Sequence, residues 1–128
     1  ALALSSSAIP PPDGAAPLAA RARGYLHANC AGCHRPGGSS ARGSIDLRFS
    51  TSFIDTGTCN ALPTEGTLYH PQPALLRVIA PGAPELSVLR LRMATTNTFR
   101  MPALGSGVVD DAAIALVDAW IGSLAACP

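Results

Sequence analysis

The run YLHANCAGCHRPGG, residues 25–38, sets two cysteines three residues apart, places a histidine directly after the second, and closes on a proline and two glycines. Three chemistries use such a cluster: structural zinc, a redox-active disulfide, and double covalent attachment of a haem. A structural zinc ion takes four ligands, usually as two close pairs. Here Cys30, Cys33 and His34 would have to find a distant fourth among Cys59, His70 and Cys127. Adjacent Cys33 and His34 are also awkward as simultaneous ligands of one tetrahedral ion. A thioredoxin-like pair opens a helix within a βαβ unit, whereas this one ends a predicted helix and no βαβ pattern surrounds it.

Haem suits the spacing. Two thiols on one helical face can add to the two vinyl groups at one edge of a porphyrin, and the next residue's imidazole then comes beneath the iron as an axial ligand. A second stretch, TFRMPALG (residues 98–105), carries Met101 in a loop shortly before the final helix. Pro102 biases Met101 towards extended backbone. A lone methionine is usually core filler, but downstream of a haem motif Met101 is the candidate sixth ligand. Its rival Met93 falls in the apolar stripe of a predicted helix and is expected in the core. His70, in LYHPQP, would give bis-histidine ligation only by replacing Met101. His27 is expected at the surface.

Working outward, a helix is expected from Pro17 or Leu18 to Asn29, with Leu18, Ala22, Tyr25, Leu26 and Asn29 at helical spacing. SIDLRFSTSFID alternates in part and reads either as a short strand, near 45–54, or as an extended loop. TGTCNALPTEGTLYHPQP reads as a long surface loop. Short helices are expected over Ala74 to Ile79 and from Pro84 to about Met93. Asp110 should cap a last helix, DAAIALVDAWIGSLAA, in which Ile114, Val117, Ile121 and Leu124 form a stripe beside Ala113 and Trp120.

The chain has 128 residues, one domain's worth, with net charge +1 and 13% charged residues against a usual share of about 25%. That balance argues against nucleic acid as a partner. No apolar run approaches the roughly 18 residues of a membrane span. All nine positive charges are arginine. Six aromatic residues in all leave a core short of large side chains, a shortage that a flat apolar cofactor would relieve. Residues 1–16, with IPPPDG at their centre, suit a Pro-rich linker or flexible N-terminus, and 17–128 a single domain. The alternative for the first residues is a mature N-terminus left by signal cleavage.

In their order CAGCH, RMPALG and LVDAWI make the chain resemble a class I c-type cytochrome. Ala22 and Leu26, eight and four residues before Cys30, match the N-helix of that family, and Val117, Trp120 and Ile121 its C-helix. APGAPELSVLRLR further resembles mono-haem domains attached to larger secreted bacterial oxidoreductases. The likeness spans roughly residues 20–35 and 79–124; the stretch from Gly37 to Pro73 is longer than a minimal bacterial cytochrome needs.

The resemblance implies an all-α cytochrome c fold, its N- and C-terminal helices crossing around one covalent haem c. It implies one-electron transfer with His34 and Met101 as axial ligands, rather than enzymatic turnover. Ile79, Leu89 and Pro102 are expected against the haem. Among Arg48, Arg92 and Arg100, Arg92 is the best partner for a propionate. Cys59 and Cys127, left over once the haem takes two thiols, would pair as a disulfide in an oxidising compartment; the alternative is two free thiols. The implied setting is a periplasmic or secreted bacterial monomer, relaying electrons to or from a redox protein or a fused dehydrogenase domain. The competing function is a haem enzyme or ligand sensor with an open or weakly held sixth position.

Overall fold

The computed structural model describes residues 8–39, 45–63, 70–96, 99–101 and 109–128. Their regular structure is helical: α1 (Leu18–Cys30), α2 (Val88–Ala94) and α3 (Asp111–Ser123), with 3-10 turns at Phe53–Thr56, Pro73–Leu75 and Pro84–Leu86. No strand occurs among the described residues, only isolated bridges pairing Cys59 with Ile79 and Arg77 with Ser87.

α1 begins where Pro17, at the N-cap, has no N–H to leave unsatisfied; its carbonyl takes the first helical bond from the Arg21 amide at 3.0 Å. α3 begins at Asp110, whose carboxylate accepts from the Ala113 amide at 3.0 Å. α1 and α2 both pack on α3. Ala22 and Leu26, one turn apart, turn one face of α1 into a core shared with Ile79, Met93, Val117 and Ile121. Leu26, Ile79, Val117 and Ile121 are each at most 2% exposed, and burying one such side chain contributes about 1.5–3 kcal/mol. Phe53 closes the core's edge, its ring centroid 5.1 Å from that of Trp120. Met93 belongs to this core, as its place in an apolar stripe suggests.

The Pro-rich stretch read as a linker is docked along its described part. A Cβ at Gly24 would come within 2.7 Å of the Pro10 carbonyl, so glycine lets that strand of chain lie directly on α1. Arg21 Nε donates to the Ala16 carbonyl at 2.9 Å.

One open choice is decided and two helix expectations are corrected. Of the two readings near 45–54, a short strand or an extended loop, the structure has the loop: an extended segment, a turn and the Phe53–Thr56 3-10 turn. Its amides find scattered partners: Asp46 donates to Thr56 and Leu47 to His34. The Asp46 carboxylate accepts from the Arg48 amide, folding the chain into a local turn that competes with any ladder. The helix expected over Ala74 to Ile79 stops after the 3-10 turn, because residues 77 and 79 bridge to Ser87 and Cys59. The helix from Pro84 breaks at Ser87, whose hydroxyl is buried between the Ala80 amide and the Ala83 carbonyl and holds the backbone extended.

Candidate functional site

The last turn of α1 carries Cys30 to the edge of the core, against which it packs. The amides of Cys33 and His34 both donate back to the Cys30 carbonyl, at 3.2 and 2.9 Å, so the motif closes in a tight turn. This leaves Cys33 exposed and His34 half-buried. The glycines after it are needed. Gly37 has φ +75°, in the left-handed region, and a Cβ on Gly38 would lie 2.2 Å from the Cys33 carbonyl oxygen.

Residues 46–51 buttress this turn from outside. The Leu47 amide donates to the His34 carbonyl at 2.8 Å. Asp46 holds Arg48 through both carboxylate oxygens, at 2.9 and 2.7 Å, and accepts from the Thr51 hydroxyl at 2.7 Å. Arg23 of α1 donates to the carbonyls of Arg48 and Thr51. His27, expected at the surface, is half-buried, and its Nδ1 accepts from the Phe49 amide at 2.9 Å. The buttress covers the face of α1 that a bare helix would leave to water. Sequence reasoning missed it; the polar cluster Asp46, Arg48 and Thr51 was its sole local trace.

The electrostatics follow from this packing. Burial, then the neighbouring Cys33, push the Cys30 thiol up to about 11, so it stays protonated at neutral pH. Burial lowers the His34 pKa, and the Arg92 guanidinium lowers it further, keeping the imidazole neutral with a lone pair to give. Burial raises Tyr25, with Asp110 and Cys30 acting in the same sense and Arg100 opposing.

Those influences tie the motif to the segment that carries Met101. Arg92, in the last turn of α2, acts on His34. Its carbonyl accepts from the Met101 amide at 3.0 Å, its guanidinium donates to the Phe99 carbonyl at 3.2 Å, and it lies 5.7 Å from the Phe99 ring centroid. Met101 is half-buried. Leu89 borders the same core as Cys30, and Ile79 is wholly inside it. Pro102 lies outside the described residues. Arg48 and Arg100 are engaged elsewhere, Arg48 on Asp46 and Arg100 on the carbonyls of Met93 and Thr95.

Both His70 nitrogens have partners, Nδ1 accepting from the Gln72 amide and Nε2 meeting the Glu85 carbonyl at 3.2 Å. Cys59 and Cys127 stand at disulfide distance, with Cα atoms 5.9 Å apart, while Cys30 and Cys33 are free thiols. Among the described residues no three His, Cys, Asp or Glu side chains gather as a metal site, and no helix is long and apolar enough to cross a membrane. The arrangement therefore offers two thiols, a neutral imidazole, and a thioether on a segment bonded to the arginine beside that imidazole. Compared with family models, with curated proteins and with solved structures, the chain finds no match.

Proposed function

We propose that the protein is a c-type cytochrome that carries single electrons, holding one haem c through Cys30 and Cys33 with His34 and Met101 as its axial ligands. The observation that carries this reading is the bridge at Arg92, which acts on the His34 ring and bonds the Met101 amide. The donor set fits: two free thiols at the right spacing and an imidazole held neutral. Each thiol would add across one vinyl group, sulfur forming the new bond to carbon and its proton passing to the neighbouring vinyl carbon, with no oxidant needed.

Once bound, the haem supplies a reversible ferric/ferrous couple. The chain's own groups do the rest. Imidazole and thioether ligands favour the ferrous state. Ile79 and Leu89 keep water away, and the Arg92 guanidinium offers a fork to a propionate. The fold would then be that of a cytochrome c, in a monomer of the bacterial periplasm or secretome. A redox protein or a dehydrogenase domain of the same polypeptide would dock briefly where Cys33 reaches the surface.

The test is an optical spectrum of protein produced with haem-attachment machinery, ferric and then dithionite-reduced, followed by carbon monoxide. A low-spin c-type spectrum with the weak far-red band of methionine-ligated ferric haem, unchanged by carbon monoxide, is the expected result. Absence of covalent haem would overturn the reading. Ready carbon monoxide binding would replace it with an enzyme or sensor whose sixth position is open.

A further inference from the structure

We propose that Arg100 is a positioning residue for the sixth ligand: its buried guanidinium fixes the return of the chain after α2 and thereby holds Met101 in place. This rests on the haem reading above and goes further, since it assigns the closed sixth position to one side chain.

α2 is short and ends in carbonyls that no helical amide can reach. Arg100 Nη1 donates to two carbonyls there, those of Met93 and Thr95, each at 3.1 Å. At 8% exposed it is deeply placed for an arginine, a residue that goes inside almost only when paired. The bonds run both ways between α2 and the returning segment. Arg100 reaches back to the helix end, while Arg92 on the helix reaches forward to the Phe99 carbonyl and ring, and takes the Met101 amide on its own carbonyl. Residues 99–101 are thus clamped on both sides of the ligand's backbone.

A thioether is a weak ligand for iron, so its occupancy depends on how little freedom its backbone has to lose on binding. Arg100 would remove that freedom by holding the backbone of residues 99–101 to the end of α2. It differs in this from Arg92, whose charge lies beside His34 itself.

The haem-loaded chain is compared with its variants R100A, R100K and R90A, with M101A as the reference for an absent ligand. Arg90 of α2 pairs with Asp118 of α3 at 2.7 Å, so R90A reports a loss of stability between α2 and α3 that leaves the Arg100 bonds in place. R100A should lose most of the far-red band and bind carbon monoxide roughly tenfold to a hundredfold more tightly, the scale set by losing hydrogen bonds from a charged group. R100K should recover part of the band, and R90A should keep it. If R100A does not accumulate, R100K and R100Q are read by the same two signals. An R100A protein, or failing it an R100Q protein, with the wild-type band and no carbon monoxide response would overturn the proposal, however far its melting temperature had fallen. A wild-type protein without covalent haem would instead defeat the function reading itself.

Discussion

Asp46 is the most strongly anchored carboxylate of the described residues. Its bond to the Arg48 side chain holds its pKa well below the ordinary carboxylate range, the Thr51 hydroxyl adding to the effect and desolvation opposing it. An unfolded aspartate titrates near 4. A group depressed in the fold contributes its stability in full above that value and loses it as pH falls towards the folded pKa. Urea midpoints measured from pH 6 down to pH 2 should therefore fall more steeply for the wild type than for D46N. Parallel curves would show that the ion pair contributes nothing to acid stability. This residue illustrates what the sequence conceals. Cys30, Cys33 and His34 lie within five positions of the chain, so the spacing behind the haem proposal is visible in the sequence. His27 and Phe49 meet across 22 positions, and only the folded backbone brings that amide to that ring. Arg100 stood among the candidate propionate partners, and its bonds to the Met93 and Thr95 carbonyls are of a kind that no residue pattern announces.

Among the elements, α1 and α3 were legible because each runs for 13 residues with a periodic apolar face and a clear start. At the start of α3, D110A should cost about 1 kcal/mol, a fall of some 4 °C in melting temperature at this chain length. D110N should recover most of the loss, since an amide oxygen can still accept from Ala113; equal losses in both variants would mean that the charge matters and the cap does not. The segment 74–79 was not legible. A handful of apolar residues cannot distinguish a helix from an extended strand, and here the decision falls to Cys59 and Ser87, which lie outside the segment and bridge to it. The 46–51 buttress escaped for a related reason: its order comes from α1 and from Asp46, not from alternation of side chains.

For the whole molecule, the pairing of Cys59 with Cys127 closes a span of 68 residues that contains α2, α3 and Met101 but leaves α1 and the Cys30–His34 motif outside. By chain entropy a bridge of that span contributes about 4 kcal/mol. Reduction, or the double variant C59S/C127S, should lower the melting temperature by roughly 10 °C or more. A change of a degree or two would show that the unfolded chain is already constrained without the bond. The same closure has a mechanical consequence. A steady pull on the two ends of the chain could peel away α1 and its buttress, yet it could not draw out the span behind the bridge. About 240 Å of contour length, at roughly 3.5 Å per residue for 68 residues, would stay folded away or slack behind one covalent latch. Under tension the molecule behaves as a short rope tied to a closed ring, with the histidine on the rope and the methionine in the ring.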